Sequence, residues 1–166
     1  MTVVSGDKFG ALISQWADKK KLDIEKVARG FCINLSTEII MRTPVGDPQQ
    51  WVYKHPTRGY IDYLSFKDAP AGYTGGRARN NWFATVAMPS EKMNKSADKT
   101  GQASVKRVNA GANKLKAGQT FYLTNNLPYI RRLEYEGWSN QAPAGMLRTS
   151  LADAEQALIT AINAIK

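Results

Sequence analysis

The stretch "YTGGRARNNW", Tyr73 to Trp82, decides how the middle of this chain is read. Paired glycines are followed at once by arginines, asparagines and a tryptophan. Three local structures compete for such a run: a phosphate cradle, a nucleic-acid contact, or a tight turn leading into a strand. A phosphate loop puts its glycines after a strand and before a helix, so that helical N–H groups point at the anion. Here the glycines come before a strand-like run, and no Gly-Lys-Ser/Thr ending follows. In "NNWFATVAM", Trp82, Ala84, Val86 and Met88 alternate with Phe83, Thr85 and Ala87. Both sets are largely apolar, which predicts a central strand covered on both faces. Gly75 and Gly76 then serve as a turn taken at positive φ. Arg77 and Arg79, separated by Ala78, would share one face of the strand, suited to carboxylates of a neighbouring subunit or to DNA phosphates.

Working outward, residues 43–74 carry Pro44, Pro48, Pro56 and Pro70, which break any helix, together with Trp51, Tyr53, Tyr60, Tyr63 and Phe66. "WVYKH" and "YIDYLSF" flank the turn-like "PTRG". The spacing predicts an extended aromatic arm, with a hairpin as one form of it. Before the arm, Phe9, Leu12, Ile13, Trp16 and Ala17 recur at helical steps. Ile24, Val27, Ala28, Phe31, Leu35 and Ile39 resume the pattern after "ADKKKLD", so the N-terminal region is one helix or a kinked pair, ended near Arg42 by Pro44.

Beyond the strand, "PSEKMNKSADKTGQ" reads as a polar loop. Val105, Val108, Ala112 and Leu115 give a short amphipathic helix closed by Gly118, with Lys106, Arg107, Asn109 and Asn113 off its apolar stripe. "TFYLTNN" is a second strand, and Pro128 starts a helical turn through "YIRRLEY" that Gly137 stops. Leu147, Leu151, Ala154, Leu158, Ile162 and Ile165 mark the inner stripe of a long C-terminal helix. The fold class expected is α+β: the N-terminal helix or kinked pair, a small mainly antiparallel sheet, the short amphipathic helix and the C-terminal helix. It forms one domain over 1–166, with 46–73 as an inserted arm.

At 166 residues, with 43% hydrophobic and 22% charged residues, the chain can bury a real core. The net charge of +9 favours acidic partners. The segment from Glu91 to Lys116 holds seven lysines or arginines against Glu91 and Asp98, a local balance of +5. Lys92, Lys95, Lys99, Lys106 and Arg107 are thus the candidates for contact with DNA or the lumen of an assembly. Chemistry has few materials. His55 is the one histidine, and Cys32 lies on an apolar helical stripe and reads as core. His, Cys and carboxylates show no metal-ligand spacing, and Glu134 and Glu136, two apart, would face different ways. A solvated or subunit-facing role is expected for the pair. No catalytic residue, metal or cofactor is expected, and neither a membrane span nor a secretion signal is visible. The single cysteine fits a reducing compartment.

Taken together, "MRTPVG", "TGGRARNNW" and "NNLPYIRRLEYEGWSNQAPAGMLRTSL" resemble the neck and tail-completion family of tailed bacteriophages, whose members are tail components of siphophages. The resemblance rests on Thr43, Pro44 and Val45; on Thr74, Gly75, Gly76 and Arg77; on Tyr129, Leu133, Glu134, Tyr135 and Gly137; and on Ala142, Pro143, Gly145 and Met146. The chain departs from the family pattern at residues 47–73, which separate Pro-Val from Thr-Gly, and at Glu136, an extra residue before Gly137. The resemblance implies a structural virion protein, not an enzyme, made in the host cytoplasm. It would act as a homo-oligomeric ring, sixfold in the family, at the head–tail junction or upper tail in a neck, tail-completion or tail-terminator role. DNA would pass through the ring, and other neck and tail proteins would be its partners. Interface anchors would then be Trp51, Tyr53, Tyr60, Tyr63, Arg77 and Arg79. The competing expectation, from charge alone, is a sequence-independent DNA-binding protein.

Overall fold

The computed structural model describes residues 6–47, 54–55, 59–60 and 73–164, with the backbone alone at 6–10, 12, 13, 16 and in the two short strands of the arm. The α+β class is as expected, with five α-helices among the described residues. Helix α1, Gly6–Arg42, is one uninterrupted helix of 37 residues, so the alternative of a kinked pair falls away. "ADKKKLD" carries neither proline nor glycine, and its lysines and leucine are good helix formers. The exit is abrupt because Pro44 disfavours a helical Thr43. Thr43 N–H bonds the Ile40 carbonyl at 3.1 Å, and its hydroxyl donates to the Ile39 carbonyl at 2.7 Å.

In the arm, β1 (Lys54–His55) and β2 (Gly59–Tyr60) pair antiparallel, with Lys54 opposite Tyr60 and His55 opposite Gly59. The hairpin form of the arm is therefore present at this point. Trp51, Tyr53 and Tyr63 lie outside the described residues, as does the side chain of Tyr60.

The predicted central strand is shorter and less central than its composition suggested. A 3-10 turn occupies Arg79–Asn81, and β3 begins only at Phe83 and ends at Val86. Its ladder partner among the described residues is β4, Phe121–Thr124, antiparallel and in register from Phe83 with Thr124 to Val86 with Phe121. Ala87, at φ 74°, ends the strand with its amide still bonded to the Thr120 carbonyl at 3.1 Å, and Met88 is exposed. Helix α2, Gln102–Ala112, packs across β3 and buries Val108 and Ala112 as expected, whereas Leu115 is buried beyond the end of the helix. Gly118 does not close this helix; it sits in the turn before β4.

Helix α3, Ile130–Tyr135, falls where "YIRRLEY" predicted it. The C-terminal helix is two helices, α4 (Leu147–Ala152) and α5 (Ala154–Asn163), meeting at Asp153. Asp153 leaves the helical conformation, and its carboxylate pairs with Arg42 at 2.6 Å. The expected inner stripe is also corrected. Ala157 and Ala161 are buried, whereas Leu151, Leu158 and Ile162 are exposed. The reason is close approach: a Cβ on Gly30 of α1 would stand 3.2 Å from the Ala161 Cβ, so a larger residue at 161 would force the helices apart. The core gathers Ile39, Ile40, Trp82, Val108, Ala142 and Met146, with Leu35, Leu123, Ile130, Leu133 and Leu147 packed around them.

The contact between α2 and β3 depends on Gly111. A Cβ there would lie 2.5 Å from the Ala84 carbonyl oxygen and 2.8 Å from the Ala84 Cβ, against backbone that cannot swing aside. Gly111→Ala is expected to destabilise the fold by about 1–3 kcal/mol despite its better helix propensity. Denaturant unfolding checks this, and an unchanged or higher midpoint would contradict it.

Candidate assembly surface

The stretch Thr74–Trp82 is a fastener. Gly75 and Gly76 turn at φ 69° and 79°, as read from the sequence. A Cβ on Gly76 would also stand 2.9 Å from the Asp98 carbonyl carbon and the Lys99 nitrogen, so the following loop can lie against it only because the side chain is absent. The Gly76 carbonyl accepts from the amides of Asn80 and Asp98, at 3.0 and 3.1 Å. Trp82 is buried, and its indole N–H donates to the Thr43 hydroxyl at 2.8 Å. Pro44, next to Thr43 at the end of α1, is buried as well.

The two arginines of the stretch part company, which corrects their expected common face. Arg79 turns inward. Its Nε and Nη2 donate to the Thr43 carbonyl at 3.1 and 2.8 Å, Nη2 also reaches the Met41 carbonyl, and Nη1 reaches that of Lys99 at 2.7 Å. These carbonyls cluster at the C-terminal end of α1, where a cation is favoured. Arg77 stays exposed, with Nε 3.3 Å from the Asn94 carbonyl. The asparagines hold the loop that follows β3. Asn81 is fully buried, donates to the carbonyls of Arg77 and Asn94, and accepts from the Asn94 amide at 2.7 Å. Asn80 donates to the carbonyl and hydroxyl of Ser96.

Arg107, expected to face DNA, is likewise internal. It donates to the Asn80 side chain and to the carbonyls of Asn80 and Trp82, and lies 4.9 Å over the Phe83 ring. Burial lowers the pKa of Arg79 and Arg107, and the charge of Asp98 opposes that shift. Asp98, which the sequence offered only as part of a charge balance, caps α2. It accepts from the Gly101 amide at 2.9 Å, the Ser104 amide at 2.8 Å and the Ser104 hydroxyl at 2.7 Å. Lys92, Lys95, Lys99 and Lys106 are all exposed, as expected. Lys106 stands on the rim of an open groove of about 730 Å³ between α1 and α2, with Met41 and Val105 among its lining.

Glu134 overturns its expected solvated or subunit-facing role. It is buried, and its carboxylate accepts from the amides of Met146, Leu147 and Arg148 at 2.8, 2.9 and 3.0 Å, anchoring the first turn of α4. Arg148 adds an ion pair at 3.4 Å and donates to the Glu134 carbonyl. Gly145 permits this: it turns at φ 87°, and a Cβ would fall 2.6 Å from the Glu134 carboxylate. "LEYEG" and "APAGM" are thus two halves of one clasp. Gly137 and Pro143 lie on its outer side, where a Cβ on Gly137 would meet the Pro143 carbonyl at 3.4 Å. Tyr129 precedes α3 and is half-buried. Burial raises its hydroxyl pKa, and the Arg77 charge opposes the rise.

Outside this clasp lies a surface the sequence reading missed. Tyr135 and Trp138 are exposed. The guanidinium of Arg148 lies 5.0 Å and that of Arg131 5.8 Å from the Tyr135 ring, and that of Arg132 lies 4.5 Å from the Trp138 ring. Tyrosine, tryptophan and arginine are the residues enriched at interface hot spots, and stacking holds them ready for a partner. The signal in the sequence was the clustering of "RRLEYEGW" with Arg148, which only the turn at Gly145 brings together. No protein-family model, curated protein or solved structure matches the chain.

For both Asp98 and Glu134, burial alone would raise the carboxyl pKa. Bonds from Ser104, Gly101 and Thr100 at Asp98 outweigh it, as do the amides of 146–148 with the Arg148 charge at Glu134, so each pKa is lowered. A group with a depressed folded pKa stabilises above its unfolded value, about 4, and that contribution is lost as the pH falls through the folded one. Glu134→Gln and Asp98→Asn are each expected to cost about 1.5–3 kcal/mol at pH 7. Each deficit should shrink below about pH 4 as the wild-type carboxylates protonate. Thermal melts across pH check this, and a deficit independent of pH would contradict it.

Proposed function

We propose that this chain is a structural virion protein, assembling as a closed homo-oligomeric ring at the head–tail junction or upper tail of a tailed bacteriophage, with DNA passing through the ring. The observation that carries the reading is the Glu134 clasp. Two segments that bear the family resemblance, separated by one short turn, bind each other and together present Tyr135, Trp138, Arg131, Arg132 and Arg148 outward. That composition suits burial against another protein. In this reading the residues of note act by fitting partners, with no catalytic centre and no cofactor. The partners are further copies of the chain and other neck and tail proteins. No helix among the described residues is long and apolar enough to cross a membrane.

Sequence-independent DNA binding is the second reading, favoured by the exposure of Lys92, Lys95, Lys99 and Lys106. It loses Arg107 to internal bonds. A Tyr135→Ala/Trp138→Ala variant separates the two. Under the virion reading it keeps wild-type stability to within about 1 kcal/mol, because both side chains are exposed. It fails to enter particles, which then show unjoined heads and tails by electron microscopy. Under the DNA reading, particles form normally, and the isolated monomer binds duplex at submicromolar concentration with a steep loss in salt.

A further inference from the structure

Helix α5 is built with its small residues inward and its large aliphatic ones outward. Ala157 and Ala161 are 8% and 3% exposed, whereas Leu158, Ile159 and Ile162 are 40%, 41% and 38% exposed. Leu151 of α4, 51% exposed, extends the outer stripe. An outward aliphatic ridge on a surface helix is costly in water and suits burial against a partner.

Helix α1 has the complementary shortfall. α5 runs antiparallel along it, as three ties show: Asp153 pairs with Arg42, the Ala157 carbonyl accepts from Asn34, and Ala161 abuts Gly30. α5 then ends at Asn163. Leu115 and Ala117 tie α1 through Arg29 and Glu25, at 2.6 and 3.1 Å. N-terminal to Glu25, no tertiary hydrogen bond or ion pair is made among the described residues. Ala11, Ser14, Gln15, Ala17 to Leu22 and Ile24 are all exposed, with Ile24 at 61%. Yet Phe9, Ile13, Trp16, Lys20, Ile24 and Val27 follow at steps of three and four, on the face of α1 that carries Gly30. The face that α5 covers in the second half of α1 therefore continues, largely apolar, through the first half. Being part of one continuous helix, that half cannot fold back onto the outer side of its own α5. A lone helical extension of this length is marginal in water without a packing partner.

We propose that the N-terminal half of α1 docks on the outer aliphatic ridge of α4 and α5 of a second copy of this chain. The contact continues the α1–α5 interface already present within each subunit. Residues 18–23 of the projecting half carry Lys19, Lys20 and Lys21 against Asp18 and Asp23, a local balance of +1, and Glu155 lies beside Leu158 on the outer side of α5. Each subunit offers one of each surface, so the contact builds a ring when repeated head to tail and a closed dimer when made reciprocally about a two-fold axis. This deepens the ring reading by supplying the subunit-to-subunit contact, but its chemistry requires only self-association.

Complementation of full-length variants tests it. Ala17→Glu/Ile24→Glu alters only the α1 surface, and Leu158→Glu/Ile162→Glu only the α5 surface. All four positions are exposed, so both variants are expected to keep the wild-type circular dichroism spectrum. In sedimentation velocity the wild type is expected to self-associate, and each variant alone to do so at least about tenfold more weakly. Mixed in equal amounts, the two are expected to form a one-to-one heterodimer through the one intact pair of surfaces. Wild-type association that either variant leaves unchanged overturns the proposal. So does a mixture that stays monomeric, or a wild type monomeric at several hundred micromolar. A wild type that stops at a dimer, with complementation intact, leaves this contact standing and removes the ring.

Discussion

The fold depends on one buried polar junction, where the Trp82 indole N–H meets the Thr43 hydroxyl at 2.8 Å. Thr43 is the residue at which α1 stops, and Trp82 is the last residue before β3. The bond therefore fixes the longest helix against the sheet. Arg79 closes the same junction from the other side by binding the carbonyls of Met41, Thr43 and Lys99. Buried polar groups left without partners cost about 1–3 kcal/mol each, so this set is held as a whole or lost as a whole. Helix end, turn, loop and strand are specified together.

Two carboxylates repeat one device at a distance from that junction. Asp98 reaches forward onto the first turn of α2, and Glu134 reaches across onto the first turn of α4. In each, an acid outside the helix satisfies amides that have no partner within it. The consequence differs. Asp98 ties down the basic loop, so its lysines face out from a fixed backbone. Glu134 sets α3 beside α4 and thereby assembles the arginine–aromatic surface around Tyr135 and Trp138.

Much of this was legible from residue pattern. The helix through Val27 to Ile39, the stop at Pro44, the turn at Gly75 and Gly76 and the burial of Val108 and Ala112 on α2 all stand where periodicity and turn chemistry put them. The misreadings have a common cause. Arg79, Arg107 and Glu134 were read as outward because charged residues usually are. Each is instead bound to backbone groups supplied by another element of the chain, 12 to 38 residues away, and local pattern carries no trace of such pairing. The C-terminal stripe failed for a different reason. Periodicity gives the spacing of an apolar face but not which way it points. Gly30 and Ala161, by allowing the helices to touch, turned the alanines in and the leucines out.

The chain thus spends its buried charges on holding itself together, and leaves outward a stacked arginine–aromatic cluster and an aliphatic helix face. On this account those two surfaces exist to be covered by other protein. A density map of the protein in its working assembly tests that most directly. The account predicts Tyr135, Trp138 and the Leu158–Ile162 face buried between subunits, with Trp82 still bonded to Thr43 in every copy. A working state in which both surfaces remain open to water would contradict it.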